Sequence, residues 1–312
     1  MTRQKATVVG LSAIVLWSSM AGLVRSVTQE IGPVCGAAVI YSLSALLLFF
    51  TVGAPKLSAL PRRYLVIGGL LFAVYEISYS LALGFAADSR QTIEVSMVNY
   101  LWPSLIILFT ILFNHQKTTM MVIPGLILAI LGICWVIGGE EGLDVRRMAF
   151  NIRNNPLSYC LALNGAVLWA LYCTVTKRIA EGKNAITLFF AVTAVLLWAK
   201  FFSGDEPSVR FTGTVAIYAL MAAAALGFGY AAWNVGMLHG NTTVLATASY
   251  FTPVLSALLS SFLLDTQLTL AFWKGALLVC AGSLLCWHSM RARPVRSAAP
   301  QPRARRHGRM RW

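Results

Sequence analysis

Charged side chains are scarce in this chain. They make up 12% of its 312 residues, against about one quarter in an ordinary soluble domain. A water-soluble fold of this size cannot cover its surface with so few charges, so the two soluble domains that length alone permits are excluded. Histidine is rarer still. His115, His239, His288 and His307 are the whole set, all in loops, at the ends of apolar runs or in the C-terminal tail. No carboxylate or cysteine stands at ligand spacing from them, so neither a metal site nor a cofactor is expected. The six cysteines contain no Cys-x-x-Cys pair and fall within or at the ends of apolar runs. They read as small buried hydrophobes, not as a disulfide framework. The patterns G-x-x-x-x-G-K-[ST], H-E-x-x-H and G-x-S-x-G are missing, and with them the signs of an ATPase or a membrane hydrolase. No ring of charges or carbonyl-rich filter suggests a pore. The chain is not expected to be an enzyme.

Apolar residues are abundant, at 58%. A helix that spans a bilayer needs about 20 mostly apolar residues. Ten such runs can be marked, at 6–25, 33–53, 64–86, 95–113, 120–139, 158–178, 185–202, 212–238, 243–264 and 271–288. The fold class expected is an all-α polytopic membrane protein with ten transmembrane helices. The net charge of +14 does not point to nucleic acid, because eight of the 25 Lys and Arg residues lie in the tail from 289 to 312. That tail, with Pro294, Pro300 and Pro302, is expected to be disordered and held near anionic lipid. With the N-terminus in the cytoplasm, 17 Lys and Arg fall on the cytoplasmic side and 8 on the other. The positive-inside rule then places both termini of this multi-pass membrane protein in the cytoplasm. The first span is expected to remain in the protein, being long for a signal peptide and recurring inside the chain.

That recurrence is an internal repeat. Leu11, Val15, Leu16 and Trp17 return as Leu163, Val167, Leu168 and Trp169, a shift of 152 residues. Tyr100, Pro103, Gly125 and Gly132 return as Tyr250, Pro253, Gly275 and Gly282, a shift of 150. The first half covers 1–140, a loop 141–157 connects, and the second half covers 158–288. Five spans per half is odd, so the second half enters the membrane from the opposite side. Inverted-topology repeats of this kind are the architecture of many secondary transporters, with a site near the midplane.

Several polar or aromatic residues lie deep in the spans. Trp17, Trp102, Trp169 and Trp233 sit well inside, where an indole N–H has no partner in lipid. They face the bundle interior or an aqueous cavity, with plain helix packing as the competing reading, whereas Trp135, Trp198, Trp273 and Trp287 fit an interfacial belt. Pro103 and Pro253 each free the carbonyl four residues earlier, at Asn99 and Ser249. Each of those is followed by a tyrosine, Tyr100 or Tyr250. A kink of this kind opens a hinge and a polar spot for a substrate, or is closed by a neighbouring hydroxyl. Tyr75 and Tyr79 share a face of span 3, Tyr172 follows Trp169 in span 6, and Tyr230, Trp233 and Asn234 mark span 8. Glu76 is the one ionisable side chain deep in a span by this reading, and an intramembrane acid is a functional hypothesis by default. The four repeated glycines read as positions where helices approach closely.

The segments Val15-Leu16-Trp17-Ser18, Tyr75-Glu76-Ile77 and, most specifically, Asn99-Tyr100-Leu101-Trp102-Pro103 resemble the drug/metabolite transporter superfamily in its EamA-type branch. The resemblance covers residues 1 to about 290 and is nearest to exporters of aromatic amino acids within that branch. It implies export of amino acids, aromatic and a broader neutral set, by alternating access without ATP. It also implies a basket of helices 3, 4, 8 and 9, with 1 and 6, around a central cavity. Small multidrug-resistance proteins of the same superfamily carry a glutamate in the first span, and this chain has none there. The partners implied are a small-molecule substrate and the lipid bilayer, with no nucleic acid and no obligate protein partner. Export of organic cations, drugs or other small metabolites is the alternative, with Glu76 and the aromatic residues holding a cation.

Overall fold

The computed structural model describes residues 1–114, 118–204 and 211–291. Among these, helix is the only regular structure. The first apolar run forms α1 (Arg3–Ser18) and α2 (Met20–Ile31), a single stretch with a slight break at Ser19. Gly32, at φ 87°, makes the turn into α3 (Pro33–Thr51), with Pro33 at the first helical position, where its missing N–H costs nothing. A π-helical turn over Tyr64–Gly68 leads into α4 (Gly69–Gly84). Asp88 then caps α5 (Ser89–Asn99) by accepting from the Gln91 amide at 2.7 Å. After α6 (Trp102–Asn114) and α7 (Val122–Ile137) comes α8 (Val145–Asn154), a short amphipathic helix inside the connecting loop. The second half runs α9 (Pro156–Ile179), α10 (Ile186–Phe202), α11 (Gly213–His239), α12 (Thr242–Ser249), α13 (Thr252–Leu263) and α14 (Leu270–Arg291).

Seven helical stretches among the described residues are long and apolar enough to cross a bilayer: Arg3–Ile31, Pro33–Thr51, Tyr64–Gly84, Ser89–Phe113, Pro156–Ile179, Gly213–Met237 and Leu270–Met290. Val122–Ile137, Ile186–Phe202 and Thr252–Leu263 are apolar but shorter. The protein is an all-helical polytopic membrane protein. The tail beyond Arg291, with its arginines and Trp312, lies outside the described residues, as do His115, Lys117 and Arg210.

Two helices run further than hydropathy suggests. Span 1 continues to Ile31 and span 4 begins at Ser89. Arg25, at the very end of the first expected span, and Arg90 and Glu94, ahead of the fourth, are therefore helical. Their charge depresses the local hydropathy, yet each has a partner inside the protein. Glu94 is buried and accepts from Tyr159 Oη at 3.1 Å and from Arg90 Nε at 3.3 Å. Glu76 is thus not the only acid buried within a helix.

Both proline breaks are present, with the same local geometry. Around Pro103, the Tyr100 amide donates to the Met97 carbonyl at 3.1 Å and Leu101 to Val98 at 3.2 Å. Around Pro253, Tyr250 donates to Thr247 at 3.3 Å and Phe251 to Ala248 at 3.0 Å. Each helix thus tightens to i→i−3 bonds just before its proline, because the ring removes one donor and crowds the carbonyl behind it.

The main helix pairs are α7 with α14, α3 with α10, α1 with α11 and α4 with α9. The α7–α14 seam rests on the four repeated glycines. A Cβ on Gly132 would lie 2.7 Å from both the Gly275 carbonyl oxygen and the Val279 nitrogen. A Cβ on Gly125 would lie 2.7 Å from Cys286 Sγ and 3.0 Å from the Gly282 carbonyl oxygen. Gly125 faces Gly282 and Gly132 faces Gly275, so the two helices touch backbone to backbone. Gly10 and Gly236 do the same for α1 and α11.

Candidate aromatic site at the helix junction

The centre of the protein is a chain of aromatic rings that joins helices of both halves. On α4, Tyr75 and Tyr79 are one turn apart, with stacked rings 6.3 Å between centroids. Trp169 of α9 lies 4.8 Å from Tyr75 and stacks on Tyr172 at 5.2 Å. Tyr230 of α11 connects the two sides, 6.3 Å from Trp169 and 5.1 Å from Trp17 of α1. Trp233 completes the line at 5.4 Å from Trp17. The Trp17 indole nitrogen is buried without a hydrogen-bond partner among the described residues.

Glu76 sits against this cluster. It is 3% exposed, so its carboxylate depends on protein donors. Tyr41 Oη of α3 donates to one oxygen at 2.5 Å, and Tyr230 Oη donates to the other at 2.9 Å. The carboxylate thereby ties α3, α4 and α11 together, and it fixes the ring of Tyr230 against both tryptophans. Tyr41→Phe is expected to leave one carboxylate oxygen without its donor and to cost about 1–3 kcal/mol. A thermal unfolding midpoint in detergent equal to wild type would show that the bond is not formed.

Asn99 and Tyr100 approach from the α5 break. Asn99 is buried, and its side-chain oxygen has no hydrogen-bond partner among the described residues. It faces Gly165 of α9, where a Cβ would lie 3.0 Å from that oxygen. Tyr100 is buried beside Tyr79. The structure therefore brings together Trp17, Tyr75, Glu76, Tyr79, Asn99, Tyr100, Trp169, Tyr172, Tyr230 and Trp233.

Four candidates stand apart from that group. Trp102 packs on the main core without an aromatic partner among the described residues. Asn234 is half-buried and forms none of the described hydrogen bonds. Ser249 donates to the Ala246 carbonyl at 2.8 Å, and its own carbonyl, freed by Pro253, accepts from the Thr252 hydroxyl at 2.6 Å. The break at Pro253 is thus closed by a neighbouring hydroxyl, while Trp102, at the position matching Thr252, has no hydroxyl to offer Asn99. Tyr250 turns toward α14, 6.2 Å from Trp287. Trp198, read as an interfacial residue, is tied into the fold by its indole N–H, which donates to Ser42 Oγ at 2.9 Å.

Three aromatic residues of the centre escaped sequence reasoning. Phe72 touches Tyr172, Phe190 and Tyr230 at 5.6, 5.4 and 6.0 Å. Tyr41 stacks on Phe190 at 5.6 Å. Tyr41 and Phe190 lie 149 residues apart in the matched spans 2 and 7, close to the repeat shift, and that spacing was the available signal. A separate cavity of about 490 Å³ lies at the end of α2, lined by Glu30, Ser89, Thr212, Tyr218 and Asp265 among others. Its walls mix polar and apolar side chains and hold none of the central rings. Among the described residues no group of three or more His, Cys, Asp or Glu is placed to hold a metal.

A model of the EamA-like transporter family matches residues 156–287. The chain is 57% identical over 291 residues to the aromatic amino acid exporter YddG of Escherichia coli strain K12, covering 93% of this chain and 99% of that protein. The chain belongs to the EamA-like transporter family. A Salmonella typhimurium protein of the same name is 56% identical over 293 residues, 94% of this chain and all of its own length. The relative from Ancylobacter novellus is more distant, 30% identical over 268 residues, 83% of this chain and 88% of its own. One solved crystal structure superposes with a TM-score of 0.65 at 24% identity, over 92% of this chain and 99% of the other, a likeness of fold. As an EamA-like transporter the chain moves a solute, and the aromatic centre lies where both halves contribute side chains.

Proposed function

We propose that this protein exports aromatic amino acids, with a broader neutral set, across the bacterial inner membrane. The observation that carries this reading is the near-full-length identity to exporters of that name. The site geometry accords with it. Trp17, Trp169, Tyr75 and Tyr230 offer ring faces to an aromatic side chain. Asn99, with a buried unpartnered oxygen, is placed to accept from the substrate ammonium. Because ring stacking sets no sharp size limit, several neutral side chains fit the same walls. Trp102, Asn234, Ser249 and Tyr250 remain part of the proposed path as residues that line it in another conformation.

The transport scheme is alternating access by two inverted halves of five spans, 1–140 and 158–288, with the termini in the cytoplasm. The pattern of helix pairs supports it. At a shift of 150 to 152 residues, α1 against α11 becomes α9 against α4, while α7–α14 and α3–α10 map onto themselves. Pro103 and Pro253 serve as matched hinges.

The test is uptake of labelled phenylalanine, threonine and methionine into proteoliposomes that contain only this protein and unlabelled substrate inside. Exchange above empty vesicles, fastest for phenylalanine, is the expected result. No exchange of any amino acid by folded protein would sink the proposal. A carboxylate among tyrosines and tryptophans also suits an organic cation, the second reading. Glu76→Gln separates the two. It should leave amino-acid exchange within about threefold of wild type, a loss of under about 1 kcal/mol, whereas loss confined to cation transport favours the second.

A further inference from the structure

The two ends of the helix bundle differ. At one end α2 packs on α4, α5 and α13, and α5 packs on α13. Arg25 fastens that end. Its Nη1 donates to the carbonyls of Gly84 at 3.3 Å and Ala86 at 2.7 Å, and its Nη2 to Ala87 at 3.4 Å. A guanidinium over the Gly84 carbonyl, the last of α4, and two carbonyls of the turn beyond it satisfies open acceptors and the negative end of the helix dipole together. At the other end α9 packs on α4 and α6, and among the described residues no comparable packing joins it to α11 or α12.

Arg25 has a counterpart. It stands eight residues after Trp17, and Lys177 stands eight residues after Trp169. The same shift of 152 carries Gly84, the last residue of α4, to Gly236 in the last turn of α11. Lys177 is exposed, and among the described residues it makes no hydrogen bond or ion pair. One member of a matched pair is engaged and the other is free, at opposite ends of the protein. Span 1 also breaks at Ser19, while α9 is continuous at the matching position.

We propose that Arg25 and Lys177 are paired gate residues for the transport cycle. Arg25 closes one end by capping α4, and Lys177 closes the other end in the opposite conformation by capping the last turn of α11. The inference rests on the inverted-repeat reading above. In the exchange of states Arg25 releases the Gly84, Ala86 and Ala87 carbonyls, α2 moves away from α5, and α9 closes on α11. Each cation therefore stabilises one state and is absent from the other, as a gate requires.

The test is pulsed electron–electron distance measurement on the full-length protein in lipid, with its six native cysteines replaced. Spin-label pairs at Gln29 and Ala87 report one end, and pairs at Glu181 and His239 report the other. All four positions are exposed. In the parent protein, saturating phenylalanine should populate two distances at each end that change in opposite senses. Arg25→Gln should lengthen the first distance and shorten the second, shifting the population ratio by about three- to tenfold. Lys177→Gln should shift it the other way, and Arg25→Lys should stay near the parent. If Arg25→Gln fails to fold, Lys177→Gln decides alone, since that side chain supports nothing in the present state. Ends that alternate with no effect of either charge would overturn the gate assignment while leaving the inverted repeat standing. Ends that never move in opposite senses would overturn the repeat reading itself.

Discussion

Gly132→Val is expected to be among the most damaging single substitutions in the protein. Its Cβ alone would meet the Gly275 carbonyl oxygen and the Val279 nitrogen at 2.7 Å, and Val279 Cγ2 at 2.8 Å. Two of those three atoms are backbone, so no rotamer change relieves the clash. The helices must separate, and with them the packing of Ala129, Val136, Ala276 and Val279, all buried. Overpacking of a tight core costs about 1–3 kcal/mol, and a helix seam with no side chain to yield belongs at or above the upper end. The measurement is the thermal unfolding midpoint in detergent, read beside Gly213→Ala. Among the described residues Gly213 has no atom within 4 Å of its would-be Cβ, so that control should match wild type. Equal midpoints for Gly132→Val and the control would mean that α7 and α14 are not packed at this distance.

Glu76→Ala is the second. Removing the carboxylate leaves the hydroxyls of Tyr41 and Tyr230 buried without their acceptor. Each orphaned donor costs about 1–3 kcal/mol, before the void is counted. The ring of Tyr230 also loses what fixes it between Trp17 and Trp169. Phenylalanine exchange in proteoliposomes should therefore fall by at least about tenfold, the equivalent of one orphaned bond. The amide of Glu76→Gln still accepts one phenol and presents a donor toward the other, so it should restore most of the loss. If the glutamine variant is as inactive as the alanine variant, the charge itself is required and the role assigned here to hydrogen bonding is wrong.

The parts of the fold that were legible in the sequence are those where chemistry leaves one outcome. Proline has no N–H, so Pro103 and Pro253 had to interrupt their helices, and both do. Glycine at matched spacing marks backbone contact, and Gly125, Gly132, Gly275 and Gly282 meet across one seam. Of the site, the tyrosines of span 3, Trp17, Trp169 and Tyr230 were recognisable because polar or amphipathic rings deep in an apolar run need a reason to be there. What stayed hidden follows from the same physics. α3 is apolar almost all round, so no hydrophobic face betrays which side of it holds Tyr41. Phe72 and Phe190 carry no polar atom and are indistinguishable from lipid-facing phenylalanines until their neighbours are known. Arg25 and Glu94 vanish from a hydropathy profile because the profile treats every charge as a loop, even one that caps a helix or accepts from a tyrosine. Tyr250 matches Tyr100 by position, yet the two have different neighbours, Trp287 for one and Tyr79 for the other.

The glycine seam between α7 and α14 has a consequence for descent. Most packed helix pairs tolerate drift, because a side chain that grows on one helix can be met by one that shrinks on the other. At this seam each glycine meets the counterpart of its neighbour within the same motif, Gly125 against Gly282 and Gly132 against Gly275. A side chain gained on either helix collides with the backbone of the other, so neither can drift alone. Selection at this line acts on both helices as one locus, and it holds the glycine spacing of α7 and α14 in common.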